Sequence, residues 1–236
     1  MANLPLTWDV DVRRLFEHAG RRFDLQVRFA SHARRLILFG PSGAGKTQTL
    51  KAIAGLTTPD AGHVRLAGRT LWDRNARIDL PARERRLGYV FQDYALFPHL
   101  TVAQNVGFGL AQGPRNPGRL ATPPQVLRWL SAFDLAPLAH HYPEQLSGGQ
   151  RQRTALARAL VTEPGALLLD EPFAALDTVL RTRLRQELAG WLDRLCIPMI
   201  LITHDPADVD SLGDEVLTLR EGRVSPEDAT AVAARV

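Results

Sequence analysis

Apolar residues recur along the chain in short runs that predict strands alternating with helices. Strict alternation of apolar and polar residues over 23–29 predicts a strand with one buried face, and residues 6–12 alternate more loosely. The continuous apolar runs at 36–39, 167–169 and 199–202 are typical of strands buried on both faces. We therefore expect an α/β fold with a mostly parallel sheet, preceded by an antiparallel N-terminal β-subdomain.

The middle of the chain has a different character and predicts a helical insertion. Residues 93–161 are broken repeatedly by glycine and proline, with two short helical patterns and then a longer helix that begins at Ser147. We expect 93–161 to form a helical subdomain inserted into a core made of 1–92 and 162–236, the whole chain being a single domain.

The remaining segments are short. Residues 71–86 are charged and irregular, a helix is expected over 182–195, and 215–224 has the pattern of a closing hairpin. Ser225 and Pro226 would then begin a short final helix, as its cap and its first residue.

Composition narrows the class of protein. The chain has 236 residues, 45% of them hydrophobic, which is enough for a core, and one cysteine, Cys196, which excludes an internal disulfide. The net charge is +4, but the arginines are interleaved with acids, a pattern typical of solvated faces. No apolar run approaches the roughly 20 residues that span a bilayer, so we expect any membrane role to come through a partner.

One stretch has the spacing of a phosphate-binding loop, G-x-x-x-x-G-K-[ST], between a predicted buried strand and a predicted helix. In such a loop, glycines let backbone N–H groups turn toward phosphate oxygens, and the helix N-terminus adds partial positive charge. We expect Lys46 to reach the β- and γ-phosphates of a nucleoside triphosphate and the Thr47 hydroxyl to bind Mg²⁺. The predicted ATP-binding residues here are Gly40, Pro41, Ser42, Gly43, Ala44, Gly45, Lys46, Thr47 and Gln48.

Two adjacent carboxylates end the apolar run at 167–169. Parallel strands present such side chains at the carboxyl edge of the sheet, where the phosphate loop also lies. We expect Asp170 to hold Mg²⁺ through water and Glu171 to act as the general base that polarises an attacking water.

The pentapeptide at 146–150, Leu-Ser-Gly-Gly-Gln, predicts a second anion site. Ser147 is a good N-cap, and the helix that it starts exposes N–H groups whose dipole attracts anions. The phosphate loop already supplies one anion site, so one nucleotide could contact both sites if two chains packed head to tail.

Together these motifs resemble the nucleotide-binding subunit of ATP-binding-cassette (ABC) transporters, a P-loop NTPase with a RecA-like core. The resemblance extends over nearly the whole chain. It rests on six motifs in order, which are the phosphate loop and residues 89–92, 146–150, 170–172, 175–177 and 203–205.

The resemblance implies a role for each motif. Gln92 senses Mg²⁺ and the attacking water, and His204 contacts the γ-phosphate and holds Glu171 in place. Asp177 couples the two sites of a dimer. The residues implied to bind the ATP of the opposite chain are Ser147, Gly148, Gly149 and Gln150.

The family usually stacks an N-terminal aromatic side chain on adenine. Trp8, Phe16 and Phe23 are candidates, and their spacing selects none of them. We favour Phe16, because the alternation at 23–29 makes Phe23 a core strand residue.

The resemblance also implies a biological setting. It indicates an ATPase with ATP and Mg²⁺ as cofactors, working as a homodimer on the cytoplasmic face of the inner membrane, with no nucleic acid bound. An integral-membrane permease would dock on the helical subdomain near Gln92, with an extracytoplasmic solute-binding protein as an indirect partner. Residues 78–100 look closest to importer ATPases for molybdate and similar oxyanions. Few residues follow the closing hairpin, so we expect no added β-rich domain and no built-in feedback by the solute.

Three other functions stay open on the sequence. A small-molecule kinase would use a phosphate loop, but it needs no element like residues 146–150. An ABC ATPase of DNA repair or of translation would have no membrane partner. An importer ATPase for another class of solute would share most of the same motifs.

Overall fold

A computed structural model describes residues 6–18, 21–110, 122–174 and 176–225 of the chain. The strands are β1 (Trp8–His18), β2 (Arg21–Ser31), β3 (Arg35–Phe39), β4 (Ala61–Leu66), β5 (Arg69–Asp73), β6 (Ile78–Asp79), β7 (Leu87–Val90), β8 (Ala166–Asp170), β9 (Met199–Thr203), β10 (Glu215–Arg220) and β11 (Arg223–Val224). The helices are α1 (Lys46–Ala54), α2 (Val102–Gly107), α3 (Pro124–Ala132), α4 (Gly148–Leu160), α5 (Thr178–Leu195) and α6 (Pro206–Leu212). The final helix predicted from Pro226 onward lies outside the described residues.

The chain forms two compact units. The first comprises Met1–Arg85 with Leu192–Val236, and the second comprises Arg86–Trp191. The second unit contains the predicted insertion, 93–161, together with strands β7 and β8.

The first unit contains both kinds of sheet that the sequence predicts. Strand β1 pairs antiparallel with β2 and β4, and β4, β5 and β6 continue the antiparallel pairing. Strand β3 pairs parallel with β9 on one side and β10 on the other. Leu36, Ile37 and Leu38 have no exposed surface, as expected for a strand covered on both faces.

Two segments differ from the sequence prediction. Residues 71–86, expected to be irregular, include β5, β6 and a 3₁₀ turn, because Leu71 and Trp72 are buried and β4 offers a pairing edge. Helix α5 begins at Thr178 rather than at residue 182, because the Asp177 carboxylate accepts a hydrogen bond from the Leu180 N–H at 3.0 Å and caps the helix.

In the second unit, β7 and β8 pair in parallel, and helices α2 and α3 pack against α4. The buried face of α4 is small and apolar, with Ala155, Leu156 and Ala159 almost fully buried. The side chain of Asn105, also fully buried, donates to the carbonyls of Phe97, Leu100 and Thr101 and fixes the turn before α2. Among the described residues, no helix is long and apolar enough to cross a bilayer.

Candidate nucleotide-binding site

The predicted phosphate loop lies between β3 and α1 of the first unit, as its motif requires. Lys46 is the first residue of α1 and is only 4% exposed. Its ammonium nitrogen donates to the carbonyl oxygens of Gly40 at 2.8 Å and Pro41 at 2.9 Å. The loop therefore curls around its own lysine, and the ammonium group lies at the N-terminus of the helix, where an anion is stabilised.

Two glycines of the loop allow this close packing. Gly45, the cap of α1, has a φ of 98°, and a Cβ there would lie 2.7 Å from the Leu25 side chain. A Cβ on Gly40 would lie 2.2 Å from the carbonyl oxygen of Leu219 on β10. A side chain at either position would push the loop away from the strands that support it.

A cavity of about 600 Å³ opens beside the loop within the first unit. This volume lies in the usual range for small-molecule sites. Its lining combines loop residues, one aromatic ring and more basic than acidic side chains, namely Arg22, Phe23, Asp24, Pro41, Ser42, Gly43, Ala44, Arg220, Glu221 and Arg223.

The aromatic candidates lie in different surroundings. Trp8 is fully buried and has no face available for a base. Phe23 is half-buried and lines the cavity, so its expected place in the core was wrong. The reason is that Phe23 lies near the start of β2, where its ring meets the loop glycine Gly45 rather than the core. Phe16 pairs with Phe23 across the two strands, with ring centroids 6.3 Å apart.

His204 lies next to the phosphate loop at the edge of the parallel sheet. Phe39 on β3 pairs with Thr203 on β9, so Gly40 and His204 are both the first residue beyond a paired strand end. The turn that carries the exposed His204 is fixed by the Thr203 hydroxyl, which donates to Asp208 at 2.5 Å and accepts from the Asp205 N–H at 3.0 Å. His204 thus projects from a rigid turn.

The predicted carboxylates and Gln92 come together in the second unit. Val90 on β7 pairs with Leu169 on β8, so Gln92 and Glu171 each follow a member of this pair by two residues. Asp170 is the last residue of β8 and is buried. Glu171 has a φ of 44°, an uncommon backbone conformation for a residue other than glycine.

The Asp170 carboxylate has a dedicated hydrogen-bond donor. The Tyr89 hydroxyl donates to Asp170 Oδ2 at 3.1 Å. Burial, with the nearby negative charge of Asp170 as a further cause, raises the pKa of Tyr89 well above its ordinary value. The phenol therefore stays protonated and holds one carboxylate oxygen, Oδ2, in a fixed position.

The predicted signature residues form the start of α4 in the second unit. Ser147 caps the helix, accepting from the Gln150 N–H at 3.3 Å, and the Gln150 side chain accepts from the Ser147 N–H at 2.8 Å. Ser147 is exposed, and Gly149 is buried against Leu180 and Leu184 of α5, to which its Cβ would approach within 3.2 Å. The helix end therefore packs tightly on one side and presents its cap to solvent on the other.

Asp177 lies beside this helix end. A Cβ on Gly148 would lie 3.0 Å from the side chain of Leu176, the residue before Asp177. Asp177 itself is exposed at the start of α5. Ala175, the first residue of this predicted motif, lies outside the described residues.

The structure thus assigns the predicted site residues to two groups. The phosphate loop, Phe16 and His204 belong to the first unit. The second unit holds Gln92, Asp170 and Glu171 at one strand edge, and Ser147 with its neighbours beside Asp177.

Three further residues at these sites were missed by the sequence reasoning. Tyr89 holds Asp170, Tyr94 donates to the carbonyl of Pro172 at 3.3 Å, and Arg158 donates to the loop that follows Gln92. Tyr89 is the first residue of the motif at 89–92, but its partner Asp170 lies 81 residues away in the chain. No local pattern marks such a pair.

More than half of the chain matches the model of a known protein family. Residues 25–174 match the family model described as ABC transporter.

Three curated relatives are import ATP-binding proteins. The chain is 47% identical over 191 residues to the Fe(3+) ions import ATP-binding protein of Pseudomonas fluorescens, covering 80% of this chain and 53% of the relative. It is 44% identical over 209 residues to the molybdenum import ATP-binding protein of Mycobacterium tuberculosis, covering 88% and 56%. It is 49% identical over 193 residues to the sulfate/thiosulfate import ATP-binding protein of Burkholderia mallei, covering 79% and 52%. The chain spans about half the length of these relatives.

The fold of one solved structure is similar to this chain over most of its length. It is the dimeric structure of a post-hydrolysis state of the ATP-binding cassette MJ0796, bound to ADP and Pi. The TM-score is 0.74 at 28% sequence identity, over 94% of this chain and 96% of the other.

Proposed function

The chain belongs to the ABC transporter family, and we propose that it hydrolyses ATP, with Mg²⁺, to drive import of a solute through a partner permease. The observation that carries the proposal is the buried Lys46 at the N-terminus of α1, held by two carbonyl oxygens of its own loop. When a nucleotide binds to this strand, loop and helix, its phosphate oxygens would replace the two carbonyl oxygens as acceptors for the Lys46 ammonium group.

The residues fit a Mg²⁺ ion in their donor chemistry. Mg²⁺ takes oxygen ligands and keeps several waters, so it needs few protein ligands. Thr47, Gln92 and Asp170 each offer one oxygen-bearing group of a suitable kind. Within the described part of the chain, no group of three or more His, Cys, Asp and Glu residues could hold a metal by itself. When bound, Mg²⁺ neutralises charge on the β- and γ-phosphates.

In the proposed mechanism, the side chains position and stabilise rather than react. Lys46 binds the β- and γ-phosphates, and Glu171 takes a proton from the attacking water. His204 contacts the γ-phosphate, while Gln92 orients the water. Tyr89 supports this arrangement by keeping the Asp170 carboxylate in one orientation.

We propose that the active form is a homodimer in which Ser147 and its neighbours complete the partner's nucleotide site. The exposure of Ser147 at the N-terminus of α4 supports this, because the positive end of the helix dipole there faces solvent. The similarity to a cassette whose solved structure is dimeric, with a TM-score of 0.74, supports a dimer.

The proposed permease would dock on the second unit near Gln92, at the inner face of the membrane. Phe97 and Phe108 stack there with ring centroids 4.3 Å apart, and Phe108 is 37% exposed. The exposed Phe108, packed against the half-buried Phe97 beside the Gln92 loop, would give an inserted partner helix an apolar surface.

For the solute, we propose an inorganic ion, with molybdate or a similar oxyanion as the first choice from residues 78–100. The relatives named for iron, molybdenum and sulfate lie between 44% and 49% identity, so overall similarity does not select one of them.

The experiment that tests the proposal is Glu171→Gln in the purified chain. The amide keeps the shape of the side chain but cannot accept the proton, so turnover should fall by a factor of 100 or more, given the roughly 10²–10⁴-fold contribution of a general base. ATP binding should persist and should trap a closed dimer, seen as a doubled mass in size-exclusion chromatography with ATP.

The matched control is Glu163→Gln. Glu163 lies in the same unit, its side chain is 64% exposed, and its carboxylate pairs with the equally exposed Arg128 at 3.0 Å. The Glu163→Gln variant should hydrolyse ATP and dimerise with ATP as the wild type does. Near-normal hydrolysis by Glu171→Gln would refute the assignment of the base, and a wild-type chain that hydrolyses no ATP would refute the proposed function.

A further inference from the structure

The loop after Gln92 has an unusual backbone. Tyr94 and Ala95 have φ values of 62° and 41°, so two neighbouring residues other than glycine lie in the left-handed region. This conformation is unfavourable for L side chains and persists only where surrounding contacts impose it. The contacts that impose it are therefore candidates for a functional role.

One contact comes from α4, the helix that Ser147 caps. The Arg158 guanidinium donates to the carbonyl oxygens of both strained residues, Tyr94 and Ala95, each at 2.7 Å. Burial lowers the pKa of Arg158, which the charge of Asp93 partly opposes, and arginine remains protonated in proteins. Both hydrogen bonds are thus charge-assisted, and the planar fork fixes the direction of both carbonyls.

A second contact ties the same loop to the predicted base. Tyr94 is 4% exposed, and its hydroxyl donates to the carbonyl of Pro172 at 3.3 Å. Pro172 directly follows Glu171. Burial raises the pKa of Tyr94, which keeps this donor protonated.

A third contact connects Arg158 to an aromatic pair, one member of which is exposed at the surface. The guanidinium carbon of Arg158 lies 5.5 Å from the ring centre of Phe97, in a cation–π arrangement. Phe97 stacks in turn on the exposed Phe108. A partner that presses on this aromatic pair would act on the same guanidinium that holds the loop.

We propose that Arg158 is a positioning residue for hydrolysis, which holds Tyr94 and Ala95 in their left-handed conformation and so places Gln92 opposite Glu171. It links α4, the helix that Ser147 caps, to the loop that follows Gln92. The proposal rests on the proposed function, because the roles of Gln92 and Glu171 come from it.

The first measurement needs no ATP. Amide hydrogen exchange of peptides covering 91–97 is compared between wild type, Arg158→Met, Arg158→Lys and the control Arg128→Met. Arg128 is 62% exposed and its guanidinium also lies over an aromatic ring, that of Trp129, at 5.7 Å. Losing charge-assisted hydrogen bonds should speed exchange at these amides about tenfold or more in Arg158→Met. The exchange rate in Arg158→Lys should lie between those of wild type and Arg158→Met, and the rate in Arg128→Met should match wild type.

The second measurement is a rescue. A misplaced Gln92 should lower the kcat of Arg158→Met by roughly 100-fold, with little change in the KM for ATP. Glycine takes a positive φ without strain, so adding Ala95→Gly should restore most of that loss. Adding Ala95→Gly to Arg128→Met should not raise kcat, because Gln92 is not misplaced in Arg128→Met.

The outcomes test the role of Arg158 separately from the proposed ATPase function. Equal exchange over 91–97 in Arg158→Met and Arg128→Met would overturn the proposal, as would a loss of kcat that Ala95→Gly fails to recover. If wild type hydrolysed no ATP, the proposed function would fail, and the exchange measurement would still confirm or overturn the hold of Arg158 on the loop.

Discussion

Arg85 anchors the far end of the phosphate-loop helix, and replacing it with methionine tests that anchor. The side chain is 1% exposed, and its guanidinium donates to the Ala52 and Ile53 carbonyls at 2.9 Å and to the Leu80 carbonyl at 2.8 Å. Ala52 and Ile53 lie in the last turn of α1, where carbonyls lack the usual N–H partner one turn further along, although the Ala52 carbonyl also accepts from the Gly55 N–H at 3.2 Å.

The cost of Arg85→Met follows from these contacts. Each hydrogen bond to a charged donor contributes about 1.5–3 kcal/mol, and three carbonyls would lose such a donor. Methionine keeps the apolar stem and removes the cost of burying a charge, which offsets part of the loss. The ion pair with Asp79 at 3.2 Å adds little, because that carboxylate is 55% exposed. We expect the free energy of unfolding to fall by about 3 kcal/mol, near the lower limit for breaking a buried charged contact.

The assay is urea unfolding followed by tryptophan fluorescence. Trp8 and Trp72 are buried in the same unit as Arg85 and report on its unfolding. With an m-value of about 3 kcal/mol/M, the midpoint should fall by about 1 M. Arg83→Met is the control, since Arg83 is 85% exposed and should change stability by less than about 0.5 kcal/mol. Equal midpoints for the two variants would refute the reasoning, because the three carbonyls would then have found other partners.

Two further predictions concern the nucleotide. Ser147→Arg should abolish ATP-driven dimerisation of the Glu171→Gln chain, because a long cation would fill the exposed cap of α4 that the partner's nucleotide needs. ATP binding to the monomer should persist, and a dimer peak with ATP in size-exclusion chromatography would contradict the head-to-tail arrangement. Phe23→Ala should raise the Kd of a fluorescent ATP analogue about tenfold, given the roughly 1–3 kcal/mol of base stacking, and Phe16→Ala by less, because Phe23 lines the cavity. The reverse order in a fluorescence titration would show that Phe16 is the base contact, as first predicted.

Local patterns predicted much of this protein. The apolar runs identified the buried strands β3, β8 and β9, because full burial requires continuous hydrophobic side chains. The spacing around Lys46 predicted a loop between a strand and a helix, since a tight phosphate loop needs glycine and a helix N-terminus in close succession. These features depend on neighbours within a few residues, so the order of residues alone is enough to predict them.

Other features depend on partners far apart in the chain. Arg85 belongs to a charged run that looks solvated, yet it is buried, because the turn before β7 brings it to carbonyls 32 and 33 residues away. Phe23 continues the alternation of a core strand, yet it lines a cavity, because the phosphate loop replaces the core at that end of β2. Arg158 reaches carbonyls 63 and 64 residues away in the chain. A side chain's hydrogen-bond partners and burial depend on which segments the fold brings beside it, and no local pattern of residues contains that information.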